Sequence, residues 1–223
     1  MITNKPYYED EYTRLYHADC KEIISQMSDK CVDIILTDPP YGQNWKSNNY
    51  VGGNPWGDII GDDRYPVEMI PEFFRLARNA VIAFCRWNNL AEITPQPKSL
   101  IVWDKGGGSM GDLEHEYSRQ YEVACFWAME NHKWRNGRPH DIIRVNKIHD
   151  LKHPTEKNQL LLEKILEQNA GTSVLDCYAG SGSTLGAAKK LRLKSIGIEM
   201  EEKYCEVAAN RLRDIKLDDD WIK

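Results

Sequence analysis

Three short apolar runs in this chain each end on a carboxylate. Val32-Asp33-Ile34-Ile35-Leu36-Thr37 delivers Asp38, Ser173-Val174-Leu175 delivers Asp176, and Lys194 to Ile198 delivers Glu199. Continuous apolar runs of this length read as buried strands. Further strands are expected over Tyr12 to Ala18, Ala80 to Cys85, Ser99 to Trp103 and Tyr121 to Met129. Helical spacing fills the intervals: Lys21 to Met27, Pro66 to Arg78, a short piece at Asn88 to Ile93, Leu185 to Leu191 and Glu202 to Leu212. Leu160 to Leu166 belongs to another helix, expected to begin near Thr155 with Asn158 close by as a start signal. Parallel strands need crossover connections, so this alternation predicts an α/β fold with a mostly parallel sheet.

The first of these runs ends in a stiff turn, Asp38-Pro39-Pro40-Tyr41. Proline fixes φ and pushes the residue before it towards extended geometry, so Asp38 and Pro39 are both restrained. Such a turn can hold a carboxylate, a bare carbonyl and an aromatic face around one planar group. The second run enters Asp176-Cys177-Tyr178-Ala179-Gly180-Ser181-Gly182-Ser183-Thr184 before a helix. Glycines let backbone approach a ligand closely, and the helix start offers free N–H groups to an anion. Glu199, ending the next strand, stands where acidic side chains accept hydrogen bonds from ribose hydroxyls. The third glycine of the dinucleotide fingerprint is missing, which favours an adenosine-bearing ligand other than a nicotinamide.

Composition narrows the setting. With 223 residues and 41% hydrophobic content the chain can bury a full core. No apolar stretch approaches the roughly 18 residues of a membrane span. The first eleven residues lack the apolar centre of a signal peptide. Six scattered cysteines without a C-x-x-C pair argue for reduced thiols in a cytoplasm and against a zinc site, so no metal is expected. The net charge of -5 does not advertise a nucleic-acid binder, so any such contact needs a local basic patch. Asn131 to His153 supplies one: Lys133, Arg135, Arg138, Arg144, Lys147 and Lys152 face only Asp141 and Asp150. Trp134 and Asn136 add groups able to stack on a base or read its edge. The stretch from Gly42 to Pro66 is a long loop interleaved with aromatics, a form usual for lids and binding loops.

Taken together, these residues resemble the amino-group DNA methyltransferases, which modify adenine N6 or cytosine N4 using S-adenosylmethionine. Asp38-Pro39-Pro40-Tyr41 is similar to their catalytic motif and Val174 to Thr184 to their cofactor loop, with Cys177, Tyr178 and Ser183 as departures. His153-Pro154-Thr155-Glu156-Lys157 resembles a further family segment that helps close the site, and Tyr16 to Cys20 fits a stretch before the catalytic motif. Catalytic motif first and cofactor loop last is the circularly permuted order of the β group.

The resemblance implies a Rossmann-like methyltransferase fold over residues 1–223, with a small target-recognition insertion at about 131–152. It implies catalytic roles for Asp38, Pro39, Pro40 and Tyr41. Cofactor contacts are expected from Asp19, Asp38, His153, Thr155, Lys157, Asp176, Tyr178, Gly180, Ser181, Gly182, Ser183, Thr184 and Glu199. DNA contacts are expected from Lys133, Trp134, Arg135, Asn136, Arg138, Arg144 and Lys147. The implied partner is double-stranded DNA with the target base flipped out; a homodimer is left open. Asp before Pro-Pro-Tyr leans towards adenine N6. Cytosine N4 is the alternative, and a catalytically silent binding module is the alternative from another class.

Overall fold

The structure, a computed structural model, describes residues 2–44, 60–108, 114–115, 117–146 and 157–217. Its centre is a nine-stranded sheet of Tyr8–Glu9 (β1), Thr13–His17 (β2), Val32–Thr37 (β3), Ala77–Cys85 (β4), Ser99–Asp104 (β5), Tyr121–Ala128 (β6), Ile142–Arg144 (β7), Ser173–Asp176 (β8) and Lys194–Glu199 (β9). The spatial order is β1-β2-β9-β8-β3-β4-β6-β5-β7. All run in one direction except β1 at the edge and β6, which lies antiparallel between β4 and β5. The parallel strands therefore share one carboxyl edge, and β6 begins there.

Both faces of the sheet are buried, which is why Ile34 to Leu36 in β3 and Ala80 to Cys85 in β4 read as apolar runs. Ile35, Val81 and Ala83 point into one layer with the helices Cys20–Ser25 (α1) and Ile70–Leu76 (α2). Ile34, Leu36, Ala80 and Ile82 point into the other, against Gln159–Gln168 (α3) and Ser183–Lys190 (α4). Glu202–Asp214 (α5) closes the end of the sheet through Cys205, Ala208 and Leu212 against Leu15 and Leu185.

Several features differ from the sequence reading: β1 is not among the expected strands, and the helix expected over Pro66 to Arg78 ends at Leu76, where β4 takes over from Ala77. Helix α3 starts at Gln159, capped by Asn158, whose side-chain oxygen accepts from Leu160 N at 2.9 Å; Thr155 lies outside the described residues. The basic segment 131–152 contains a strand, β7, which extends the sheet by pairing Ile142, Ile143 and Arg144 with Val102, Trp103 and Asp104. Only two apolar residues mark it, flanked by charge, so its periodicity is too short to read.

Candidate active site

The carboxyl edge opens into a cavity of about 400 Å³, within the range of small-molecule sites. Asp38 to Tyr41 from the end of β3, Asp176 to Ser181 with Ser183 and Thr184 from the β8 turn, Glu199 from β9 and Asp19 from the start of α1 all line it. Residues more than 150 positions apart in the chain meet here because β3, β8 and β9 are neighbours in the sheet.

On the β8 side the site is built largely from backbone. Gly180 sits at φ 49 and Gly182 at φ 77, a left-handed region that favours glycine. Gly180 N donates to Glu199 Oε2 at 2.8 Å, and Glu201 N donates to Oε1 at 2.8 Å. Each Glu199 oxygen keeps a second lone pair for the cavity. Asp19 caps α1 by accepting from Lys21 N at 2.8 Å. Asp176 is buried, accepting from the Thr37 hydroxyl at 2.8 Å and Tyr178 N at 3.1 Å. Burial nevertheless pushes its carboxyl up to about 6. Ser183 takes a hydrogen bond from Arg211 at 2.5 Å.

One expected cofactor residue also has a packing role. Gly182 faces α5: a side chain there would meet Ala208 Cβ at 2.8 Å and its Cα at 3.1 Å. The absence of a side chain there lets the turn and α5 pack closely.

The β3 side is built from charged side chains. Asp38 Oδ1 accepts from the Tyr41 hydroxyl at 2.5 Å, and Oδ2 accepts from Lys157 Nζ at 2.5 Å. Lys157 Nζ also donates to the Tyr41 hydroxyl at 3.0 Å and lies 5.4 Å from its ring centre. Burial raises Asp38 above the usual carboxylate range despite the ammonium. Two carboxylates, Asp38 and Glu122, hold Lys157 above its ordinary value. Glu122, from β6, lies 3.1 Å from Lys157 and is gripped on its other oxygen by Lys105. The sequence reading missed Glu122. Its signal was a lone carboxylate in the otherwise apolar run beginning at Tyr121.

The DNA candidates divide. Lys133 N donates to Asn79 Oδ1 at 2.8 Å, and Ala170 N donates to the Lys133 carbonyl at 3.1 Å. Asn79 lies near the start of β4 and Ala170 precedes β8, so this segment sits at the amino edge, across the sheet from the cavity. Arg135 donates to the Gly171 carbonyl at 2.7 Å. The Trp134 ring stacks on Phe126 at 5.2 Å and meets His132 edge-on at 4.3 Å. The DNA contacts expected of Lys133, Trp134, Arg135 and Asn136 would therefore fall at the amino edge, across the sheet from Asp38, and the Trp134 ring is engaged in packing. Arg138 is exposed in the connection to β7. Arg144 alone of the described basic candidates ends a strand at the carboxyl edge, 3.6 Å from Asp104. Lys147, His153 and Thr155 lie outside the described residues. Among those described, no group of three His, Cys, Asp or Glu forms a metal cluster, and no helix is long and apolar enough to cross a membrane.

The parallel sheet, the glycine turn into α4 and the acid ending β9 define a methyltransferase of the S-adenosylmethionine-dependent class. Residues 112–210 match the family described as DNA methylase, N6_N4_Mtase. The chain is 25% identical over 260 residues to the type II methyltransferase M2.LlaDCHI of Lactococcus lactis subsp. cremoris, covering 95% of this chain and 93% of that one. It is similar to the crystal structure of the M1.HpyAVI–SAM complex, with TM-score 0.68, 28% identity, and 89% and 99% of the two chains covered. The fold also matches the PvuII cytosine-N4-specific DNA methyltransferase, with TM-score 0.72, 14% identity and coverage of 99% and 92%. These matches support an N6/N4 amino-methyltransferase with S-adenosylmethionine as its cofactor.

Proposed function

We propose that this chain methylates the N6 amino group of adenine in double-stranded DNA, on a base flipped out of the duplex into the cavity. The observation that carries this reading is Asp38, held at the end of β3 beside Tyr41 in the same cavity as the Gly180 turn. S-adenosylmethionine supplies the methyl group as an electrophile. An exocyclic amine is a poor nucleophile because its lone pair is delocalised into the ring. Asp38 accepts one of its N–H groups and the Pro39 carbonyl the other, which localises the lone pair. The carboxylate also stabilises the positive charge that grows on nitrogen, in a site that excludes water. Tyr41 offers its ring to the base, a contact worth roughly 1–3 kcal/mol. Glu199 and Asp19 hold the adenosine part, and the start of α4 faces the amino-acid part.

The face presented to DNA is the carboxyl edge. Trp87 is 63% exposed just beyond β4, and Tyr121 is 45% exposed at the start of β6. Asn89, in the same short turn as Trp87, donates to the Tyr41 carbonyl at 3.0 Å and so ties that turn to the catalytic one. Trp87 and Tyr121 supply aromatic faces and Arg144 a phosphate contact. Incubation with methyl-labelled cofactor and unmethylated DNA, followed by nucleoside mass spectrometry, tests the reading. N6-methyladenine supports it, N4-methylcytosine transfers the proposal to the other base, and label in neither nucleoside overturns it.

A further inference from the structure

Asp38 faces the cavity with both oxygens occupied, one by the Tyr41 hydroxyl and one by Lys157. Each oxygen keeps a further lone pair, but an amine that approaches Oδ2 along the direction Lys157 now holds displaces that ammonium. Lys157 is buried at the cavity wall, its side chain 7% exposed. A buried ammonium that leaves one carboxylate needs another anion beside it, because uncompensated charge in the interior is strongly destabilising. Glu122 provides that anion. Lys105 holds its Oε1, while Oε2 lies 3.1 Å from Lys157 Nζ. Oε2 is sealed from solvent and has no directed hydrogen bond among the described residues. One oxygen is fixed and the other is spare, beside the ammonium.

We propose that Glu122 is a positioning residue for methyl transfer: it receives Lys157 when the target amine takes that ammonium's place on Asp38. The inference rests on reading Asp38 as the acceptor of the amine. No bond forms or breaks in the exchange. One ammonium moves between two carboxylates, and net charge in the cluster is constant. Asp38 is faced by Tyr41, Lys157, Glu122, Tyr65 and Asp176, and Glu122 by Lys105 and Lys157. Among the described residues, Glu122 is the second buried carboxylate beside Lys157, at 3.1 Å from its ammonium.

The test replaces Glu122 with Gln. Single-turnover methyl transfer should fall roughly tenfold, a coupling of the usual size for residues in one ionic network. Cofactor affinity should stay within about twofold, because nothing on the Gly180 side changes. The acid limb of the rate profile should move to lower pH, since Asp38 loses a like charge and keeps its ammonium. A residue that only braced the fold would lower melting temperature and cofactor binding together and leave that limb in place. Glu122→Asp should recover part of the rate. Combining Glu122→Gln with Lys157→Met should cost no more than Lys157→Met alone, and independent, additive losses overturn the proposal. The carboxyl titration of Asp38, followed by carbon NMR in wild type and Glu122→Gln, needs no turnover. A wild type that methylates no DNA sinks the function, whereas an Asp38 titration unmoved by Glu122→Gln sinks this inference.

Discussion

The two halves of the cavity are made of different material. The β8–β9 half is held by backbone: N–H groups of Gly180 and Glu201 on Glu199, left-handed glycines, and a turn pressed against α5. The β3–β6 half is held by side-chain charge, Asp38, Lys157, Glu122 and Lys105 in a row. A backbone cradle is rigid and fits a ligand whose shape never changes. A row of alternating charges can rearrange by moving one ammonium, which suits a half that must admit a reacting group. The same lesson separates binding from chemistry: damage to one half should be read in affinity and stability, damage to the other in rate.

The sharpest break comes from Asp38→Ala. Loss of a positioned acceptor should reduce single-turnover methyl transfer on the order of 10²–10⁴-fold. Calorimetric affinity for the cofactor should hold, and a drop in both would erase the distinction between the halves.

Gly182→Val attacks the other half through packing. The new side chain meets Ala208 and sits at φ 77, a conformation β-branched residues avoid. Strain and overpacking together should cost about 2–5 kcal/mol, seen as a lower denaturation midpoint. Cofactor affinity per folded molecule should change little, since Gly182 faces α5.

Asp176 sharpens the comparison by pH. Its folded-state carboxyl is raised to about 6, so the protonated form favours the fold. That stability is fully present below the unfolded value and is lost as pH rises to about 6, a loss of about 3 kcal/mol. Asp176→Asn keeps the acceptor for Thr37 and Tyr178 and removes the titration. The variant should be more stable than wild type at pH 7.5, with the difference closing below about pH 4. Urea midpoints at the two pH values check it, and a constant difference would refute the assignment.

The smallest effect compares two arginines. Arg144→Ala should lower the salt slope of DNA binding by about 0.9 if its guanidinium meets a phosphate. Arg135→Ala, at the amino edge, should leave the slope unchanged. A slope moved by Arg135 instead would return DNA to that edge.

How much of this was legible in sequence follows from how local each feature is. The catalytic turn, the glycine turn and Glu199 are each set by a strand and the few residues after it, and neighbours in the chain suffice to read them. The direction of β6 is a property of its partners β4 and β5. The meeting of Lys157 with Glu122 depends on that direction, so neither residue alone could announce it. Trp134 looked available for stacking because Phe126, its stacking partner, lies across a chain reversal. The basic composition around it recorded an exposed surface, and its position was decided by Asn79 and Gly171, far away in sequence.

The start of the 42–66 stretch carries one more consequence. Gly42 N and Gln43 N donate to the Asp62 carboxylate at 2.8 and 3.2 Å, and Asn44 N donates to the Asp62 carbonyl at 2.6 Å. Gly42 also lies so close to Arg64 that a side chain there would meet its Cα at 2.7 Å. Residues 42–44 and 62 thus form one clasp, which anchors the chain directly after the Asp38–Tyr41 turn.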